Sequence, residues 1–261
     1  MAQHTKFVWY ELMTTNPDAA QDFYTKLIGW GTEPFEGHEN GMPYTMWTAG
    51  EKPIGGLMEL PEQARKGGAP PHWMGYVGVE DVAATAAEAA QLGACALVPA
   101  TDIPGAGTFA VLADPQGAVF ALYSTKAESS EETCIDEGPG HFSWRELATS
   151  DYRAGFEFYA KLFGWTVQDD MDMGDAGVYR IYGPQNGPPL GGMFTKPAEM
   201  PGPPAWLYYV TVADLDAAIA KIGKLGGQVL NGPMEVPGGD KIAQCLDPQG
   251  AAFALHWSKN G

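Results

Sequence analysis

The sequence predicts an α+β fold of two tandem domains, each built from two β-α-β-β-β units. Three observations support this prediction. The stretch FVWYELMTTNPDAAQDFYTKLIGW at 7–30 returns as FSWRELATSDYRAGFEFYAKLFGW at 142–165, displaced by 135 residues. Within each copy, a strand-like segment followed by a helix pattern occurs twice. A repeat of this length is typical of a duplicated domain and not of a solenoid.

Later segments repeat in the same order, which extends the duplication to most of the chain. Between the copies, residues 126–140 carry five acidic residues, one basic residue and almost no apolar ones. That composition is typical of a solvated linker. We therefore predict domain 1 at 1–125, an acidic linker at 126–140 and domain 2 at 141–261. The later matched segments are KPIGGLM with PPLGGMF, PPHWMGYVGVEDV with PPAWLYYVTVADL, and ADPQGAVFALY with LDPQGAAFALH.

Local signals define the first unit of the first copy. Residues 7–13 alternate in polarity as a strand does. Asn16 is a helix cap, Pro17 fits the first turn, and Gly29 ends the helix. Its apolar stripe at helical spacing consists of Ala20, Phe23, Tyr24, Leu27 and Ile28. Strand-like runs follow near 44–48 and 54–58.

The pattern then restarts in the second unit. Residues 73–79 read as a strand, and Asp81 caps an Ala-rich helix that ends at Gly93. Three strands follow, near 95–98, 108–113 and 118–123. In the second copy the matching helix is clearer, with Leu215, Ala218, Ile219, Ile222 and Leu225 on one face and Gly226 at its end.

The tetrapeptide DPQG occurs at 114–117 and again at 247–250. Asp first, Pro second and Gly fourth are the residue preferences of a type I turn. We therefore interpret both copies as turns, with a catalytic Asp as the alternative.

Composition excludes several classes of protein. Hydrophobic residues make up 45% and charged residues 18% of the 261 residues, as in globular proteins. The net charge of −17 argues against a nucleic acid or an anionic membrane as partner. Cys95, Cys134 and Cys245 have no close spacing that indicates a disulfide framework. With neither a signal peptide nor a membrane span in the sequence, we expect a cytoplasmic protein.

The order of strand, FY…LGW helix, DPxG turn and final apolar strand resembles the vicinal oxygen chelate superfamily. This superfamily includes glyoxalases, bleomycin-resistance proteins and extradiol dioxygenases. The duplicated W-x-E-L…FY…GW segment is most similar to tandem bacterial proteins described as related to lactoylglutathione lyase. The resemblance covers nearly the whole chain and implies curved mixed sheets that form clefts. It does not fix the activity, because one fold hosts many functions.

The resemblance also implies where metal ligands would stand, at four strand positions of each domain. None of the eight residues there is an imidazole or carboxylate, which divalent metals prefer. We therefore expect no metal and no cofactor. Trp beside small residues predicts a roomy apolar cleft for a flat or apolar molecule; alternatively, the Trp side chains simply fill the core. The residues, in matched pairs, are Trp9 and Trp144, Gly56 and Gly192, Met74 and Leu207, and Ala121 and Ala254.

Glu11 and Glu146 each follow one of these Trp residues by two positions, so each shares a strand face with its Trp. A carboxylate on a buried face needs a partner or a shifted pKa. Three interpretations stay open for the pair. Each Glu pairs with Arg145, a Lys or a backbone N–H; or one or both act as a general base; or they orient a ligand or bind a metal.

Tyr123 and His256 occupy matched positions two residues beyond the Ala positions, and we predict that they also line the clefts. His72, two residues before Met74, extends the set to an unconventional site with Glu11, Glu146 and His256. Such a site would have to be asymmetric, because no His is repeated between the copies. We find no Ser-His-Asp order in the sequence that indicates a hydrolase.

Three functional hypotheses follow. The first is metal-independent binding, or sequestration, of a small apolar or aromatic molecule. The second is a lyase- or isomerase-like enzyme that uses Glu11 or Glu146 as general base, as resemblance to lactoylglutathione lyase implies. The third is a metal-dependent glyoxalase or dioxygenase with displaced ligands. We expect a monomer or a homodimer.

Overall fold

A computed structural model describes residues 6–35, 43–126 and 138–259. Most of the predicted linker, with Cys134, lies outside the described residues. The described part contains two eight-stranded sheets and few helices, which confirms the α+β prediction. No helix within it is long and apolar enough to cross a membrane.

The described residues of the first half form eight strands and three helices. The strands are β1 (Phe7–Thr14), β2 (Gly31–Pro34), β3 (Tyr44–Ala49), β4 (Lys52–Glu59), β5 (His72–Gly78), β6 (Cys95–Ile103), β7 (Gly107–Ala113) and β8 (Val119–Thr125). The helices are α1 (Pro17–Leu27), α2 (Glu62–Lys66) and α3 (Val82–Gln91).

The second half repeats this order with two longer helices and two short 3-10 helices. The strands are β9 (Phe142–Thr149), β10 (Thr166–Asp172), β11 (Val178–Gly183), β12 (Gly191–Thr195), β13 (Ala205–Thr211), β14 (Gln228–Glu235), β15 (Lys241–Leu246) and β16 (Ala252–Trp257). The helices are α4 (Tyr152–Phe163) and α5 (Leu215–Ile222), with 3-10 turns at Gly174–Ala176 and Gly223–Leu225.

Each half forms one mixed sheet. The strand orders are β2-β3-β4-β1-β5-β8-β7-β6 and β10-β11-β12-β9-β13-β16-β15-β14. The pairs β1–β4, β5–β8, β9–β12 and β13–β16 are parallel, because a helix carries the chain back between the first strand of a unit and its partner. This topology confirms two β-α-β-β-β units in each half.

Helix starts follow the predicted caps. The Asn16 side chain accepts a hydrogen bond from the Ala19 N–H at 3.1 Å, and Asp81 accepts one from Ala84 at 2.9 Å. These acceptors satisfy N–H groups that lack a partner within the helix. Gly29, with φ +90°, follows the end of α1 as expected.

Two elements lie outside the predictions. Strand β2 is the short, largely exposed segment GTEP, and it carries no apolar alternation because it is an edge strand that pairs only with β3. Helix α2 has no buried residue, so it lacks the apolar periodicity by which helices are found in a sequence.

Contacts divide the chain into two compact units that do not coincide with its halves. One unit takes described residues within Met1–Val8, Gly75–Ser130 and Trp144–Leu207. The other takes those within Trp9–Met74, Glu131–Ser143 and Tyr208–Gly261. Each compact unit therefore combines one β-α-β-β-β unit from the first half with one from the second.

An aromatic cluster around Tyr24 fills the core of one compact unit. The Tyr24 ring is fully buried and lies 5.4–5.8 Å from the rings of Trp30, Trp47, Trp73 and Phe253. Phe253 belongs to the second half of the chain, so this core requires both copies.

The Tyr24 hydroxyl links this cluster to the second DPQG turn. It accepts a hydrogen bond from Trp73 Nε1 at 2.9 Å and donates one to Asp247 Oδ2 at 3.2 Å. The other carboxylate oxygen, Oδ1, accepts from the N–H groups of Gln249 and Ala251, each at 2.9 Å. Burial raises the pKa of Asp247, although these hydrogen bonds act to lower it.

The other compact unit contains the same arrangement with the halves exchanged. Tyr159 donates to Asp114 Oδ2 at 3.0 Å and accepts from Trp206 Nε1 at 3.2 Å. Asp114 Oδ1 accepts from Gln116 at 2.8 Å and Ala118 at 2.9 Å. Both DPQG segments are thus turns, as predicted. The carboxylate of each turn also accepts a hydrogen bond from a helix tyrosine of the opposite half.

Replacing either buried hydroxyl is expected to destabilise the fold. Tyr24→Phe and Tyr159→Phe each leave an indole N–H and a buried carboxylate oxygen without their shared partner. We expect each to lower the free energy of unfolding by about 1–3 kcal/mol in urea denaturation. Tyr123→Phe is the matched control, because its half-buried hydroxyl makes one bond to the Ala106 carbonyl. Equal losses in all three variants would contradict this account.

Candidate functional site

Strand β9 and strand β11 bring three functional side chains together in the second half. Trp144 Nε1 donates to the Tyr179 hydroxyl at 2.8 Å, and that hydroxyl donates to Glu146 Oε2 at 2.9 Å. The indole and the phenol are half-buried, whereas Glu146 is only 8% exposed. Trp144 and Glu146 therefore do share one strand face, and Tyr179 fixes both.

Paired glycines of β12 make room for this arrangement. A Cβ atom at Gly192 would lie only 2.2 Å from ring and hydroxyl atoms of Tyr179, and one at Gly191 would overlap the Arg145 carbonyl oxygen. Gly192 also stands directly beside Glu146 in the parallel register of β12 and β9. We call Trp144, Glu146, Tyr179 and Gly192 the second Trp–Tyr–Glu cluster.

The first half repeats the Trp–Tyr hydrogen bond and the glycine contact of this geometry. Trp9 Nε1 donates to the Tyr44 hydroxyl at 2.9 Å, and a Cβ atom at Gly56 would overlap that hydroxyl. Gly56 pairs with Glu11 in register, and Glu11 is 6% exposed. These four residues form the first Trp–Tyr–Glu cluster.

The clusters change one expectation from the sequence. Gly56 and Gly192 were predicted to leave open space, but tyrosines occupy it, because each Gly admits the side chain of a residue on the neighbouring strand. Sequence reasoning missed Tyr44 and Tyr179. Their signal is that they recur at the 135-residue displacement of the Trp residues.

The remaining predicted cleft positions are mostly buried in the sheets. Met74, Ala121 and Ala254 are at most 2% exposed, whereas Leu207 is half-buried. Ala121 pairs with Tyr76, and Ala254 pairs with Tyr209. That these residues contact a ligand stays a prediction.

Tyr123 ties the last strand of the first half to the preceding hairpin. Its hydroxyl donates to the Ala106 carbonyl at 3.1 Å, and its ring lies over Gly107, where a Cβ would come within 2.9 Å. This contact gives Tyr123 a packing role at the β6–β7 turn. A ligand contact by Tyr123 is still a prediction.

His256, at the matched position, bridges two polar side chains. Its Nδ1 lies 2.9 Å from Ser143 Oγ, and its Nε2 lies 2.9 Å from Asp240 Oδ2. Ser143 directly precedes Trp144 in β9, so the two side chains point to opposite faces of that strand. The structure thus groups His256 with Ser143 and Asp240, a constellation that sequence order did not reveal.

The described residues do not fit a divalent metal. Between residues 6 and 259, apart from 36–42 and 127–137, no three His, Cys, Asp or Glu side chains gather as ligands would. His72 Nδ1 lies 2.7 Å from the Pro70 carbonyl oxygen. Burial lowers the pKa of His72, although the hydrogen bond to Pro70 acts to raise it. Trp, Gly, Ala, Met and Leu residues hold the positions where the resemblance implied ligands, and none of them offers the imidazole or carboxylate that a divalent metal prefers.

Comparison with protein families agrees with this fold. Residues 138–255 match the family model described as Glyoxalase/Bleomycin resistance protein/Dioxygenase superfamily. Residues 9–123 match one described as a Glyoxalase-like domain. The chain belongs to the glyoxalase, bleomycin-resistance and dioxygenase superfamily, with two such domains in tandem, as the sequence resemblance implied.

Two curated relatives match along nearly their whole length. "Putative glyoxylase CFP32" of Mycobacterium tuberculosis is 33% identical over 248 residues, which cover 95% of this chain and 92% of that protein. "Anthracycline biosynthesis protein DnrV" of Streptomyces peucetius is 30% identical over 260 residues, which cover 95% of this chain and 91% of that protein.

A solved structure shares the fold. The Mn(II)-bound glyoxalase from Novosphingobium aromaticivorans superposes with a TM-score of 0.62 at 17% identity, and the match covers 98% of this chain and 82% of that one. At this identity the likeness concerns the fold alone.

The Gly192–Tyr179 contact can be tested by adding one methyl group. We expect Gly192→Ala to displace Tyr179, break its bonds to Trp144 and Glu146, and destabilise the protein by about 1–3 kcal/mol. Near-UV circular dichroism and urea denaturation report both effects. Gly223→Ala is the matched control, because its φ of −62° is helical and nothing lies within 4 Å of the added atom. An unchanged near-UV spectrum in Gly192→Ala would contradict the cluster geometry.

Proposed function

We propose that the protein binds a flat aromatic small molecule without a metal, and that the two Trp–Tyr–Glu clusters recognise it. The observation that carries this proposal is the Trp144–Tyr179–Glu146 chain of hydrogen bonds, which recurs in part as Trp9–Tyr44. In each half, the Trp and the Gly of the cluster occupy positions at which the family resemblance implies metal ligands.

The cluster has the properties of a preorganised aromatic platform. Its indole stays half-exposed, while the hydrogen bond to Tyr179 fixes the plane of the ring before any ligand arrives. Fixing a side chain in advance lowers the entropy lost on binding. Stacking on such a ring is worth about 0.5–1.5 kcal/mol beyond the burial of surface.

The buried carboxylate adds polar selectivity to this platform. Glu146 shares its strand face with the indole and already accepts the Tyr179 hydroxyl. A carboxylate accepts hydrogen bonds from hydroxyl or N–H groups of a ligand. The clusters therefore favour an aromatic molecule with hydroxyl substituents over a plain hydrocarbon. One relative is named for anthracycline biosynthesis, and fused hydroxylated rings have this chemistry.

A second candidate function rests on the same carboxylates. Glu11 and Glu146 are 6% and 8% exposed in apolar strands, and a carboxylate removed from water is suited to accept a proton as a general base. The name of the mycobacterial relative, a putative glyoxylase, favours such lyase-like chemistry. In this alternative, Tyr179 positions Glu146 while the base takes a proton from the substrate.

The first experiment compares the native and denatured masses of the purified protein. An excess mass of a small organic molecule would support sequestration, and the native mass also distinguishes a monomer from a homodimer. An excess that matches Mn(II) or another divalent ion would contradict metal-independent binding.

Variants of the platform are expected to weaken binding. With alizarin, a dihydroxylated flat aromatic, as probe, we expect Trp144→Leu and Trp9→Leu each to raise the Kd of their own site about tenfold or more. Quenching of intrinsic fluorescence measures the titration. Trp257→Phe is the control, since this half-buried Trp packs with Lys241 at 5.8 Å outside either cluster. Unchanged affinity in the double Trp variant would exclude the clusters as the binding site.

The general-base alternative has a separate readout. If a Glu is the base, Glu11→Gln or Glu146→Gln lowers turnover of the hemithioacetal of methylglyoxal and glutathione by about 10²–10⁴-fold. Alizarin binding would fall far less, because Gln keeps an acceptor oxygen. Turnover that survives in both Gln variants would rule out this role.

A further inference from the structure

Three side chains of one compact unit form a continuous hydrogen-bonded relay. Ser143 Oγ lies 2.9 Å from His256 Nδ1, and His256 Nε2 lies 2.9 Å from Asp240 Oδ2. The second oxygen of Asp240 accepts the backbone N–H of Lys259 at 3.0 Å. The carboxylate is therefore anchored on one side and points its other oxygen at the imidazole.

This anchoring fixes the tautomer of the imidazole. Although burial acts to raise it, the pKa of Asp240 is held below its ordinary value by hydrogen bonds from the Lys259 N–H and His256. The ionised carboxylate only accepts, so the proton of a neutral His256 sits on Nε2. Nδ1 then carries a lone pair that faces the Ser143 hydroxyl. This is the arrangement in which a serine is activated by a base and the base by a carboxylate.

The ring nitrogens exchange their usual places in this relay. In serine hydrolases of the common type, Nε2 faces the serine and Nδ1 faces the carboxylate. The two tautomers of imidazole are equivalent for proton transfer, because one nitrogen donates while the other accepts. The exchange therefore preserves the chemistry of the relay.

The side chains of the relay are partly exposed to solvent. The side chains of His256 and Asp240 are 19% and 28% exposed, and Ser143 is half-buried. Ser143 Oγ lies at 3.5 Å from the Tyr209 carbonyl, so its shorter hydrogen bond is the one to His256.

The first half of the chain has no counterpart of this relay. The residues at the matched positions are Val8 and Tyr123, and the Tyr123 hydroxyl bonds to a backbone carbonyl instead. The shared fold therefore does not require Ser143 and His256, since the duplicate β-α-β-β-β unit closes its sheet without them.

We infer that Ser143 is a nucleophile, activated by His256 as general base, that accepts acyl groups from carboxylic esters. Its Oγ forms a bond to the ester carbonyl carbon while its proton passes to His256 Nδ1. The bond between carbonyl carbon and alcohol oxygen breaks, and His256 returns the proton to the departing alcohol. Water then attacks the carbonyl carbon of the acyl-serine while one of its protons passes to His256 Nδ1. The bond between that carbon and Ser143 Oγ breaks, His256 returns the proton to Ser143 Oγ, and the carboxylic acid is released. Asp240 is a positioning residue that holds the tautomer.

This activity is independent of the proposed aromatic platform. Ser143 and Trp144 point to opposite faces of β9 because they are consecutive in a strand. Ser143→Ala is therefore expected to leave alizarin binding unchanged.

The test is covalent labelling of the full chain with diisopropyl fluorophosphate. The probe forms a P–O bond with an activated serine and expels fluoride, so it reports the nucleophile even where turnover is slow. We expect one adduct by intact mass, mapped to Ser143 by peptide sequencing and absent in Ser143→Ala. Ser150→Ala is the matched control and should keep the adduct, since the Ser150 hydroxyl bonds to Gln116 and not to an imidazole.

Two further variants separate activation from simple exposure. We expect His256→Gln to lower the labelling rate by about a hundredfold or more, and Asp240→Asn by about tenfold or more. Circular dichroism verifies that each variant is folded. The inference is overturned if folded wild-type protein gains no adduct at Ser143. It is equally overturned if the Ser143 adduct forms at the wild-type rate in both variants.

Discussion

The rest of the structure depends on a buried hydrogen bond between a helix tyrosine and the carboxylate of a DPQG turn. Tyr24 bonds to Asp247, and Tyr159 bonds to Asp114. In each pair the tyrosine comes from one half of the chain and the aspartate from the other. A carboxylate buried this deeply is stable only with its acceptor sites filled. Because each bond joins the two halves, each core contains residues from both copies of the sequence.

In each half, a Trp–Tyr–Glu cluster includes two strand positions at which the family resemblance implied metal ligands. A glycine at a position where the resemblance implied a metal ligand does more than remove that ligand. At Gly192 it lets Tyr179 lie across β12 and hold Trp144 and Glu146. The substitutions are therefore coupled, since Tyr179 has no room beside any larger residue. The residues of each cluster therefore depend on one another for their positions.

Local chemistry made much of the fold predictable. Asn16, Asp81 and Gly29 fix helix ends through hydrogen bonds and backbone angles that depend on near neighbours only. The sequence did not predict that each compact unit combines a β-α-β-β-β unit of the first half with one of the second half. Both copies have the same apolar pattern, so pairing within a half and pairing between halves would bury it equally well. The site was predictable in part: strand alternation placed Trp144 with Glu146. Tyr179 was missed, since its approach depends on the register of β11 against β12.

Duplication also separates what the fold needs from what each half adds. Contacts that recur in both halves, such as the Tyr–Asp bonds and the Trp–Tyr bonds, are requirements of the shared architecture or of a shared function. A residue that differs between matched positions is not required by the shared architecture. Tyr123 and His256 both tie the last strand of their half to the preceding hairpin, yet only His256 also reaches a hydroxyl and an anchored carboxylate. Either residue can pack the last strand against the hairpin. The fold therefore does not require the hydrogen bonds of His256 to Ser143 and Asp240, and these residues can serve a chemical function.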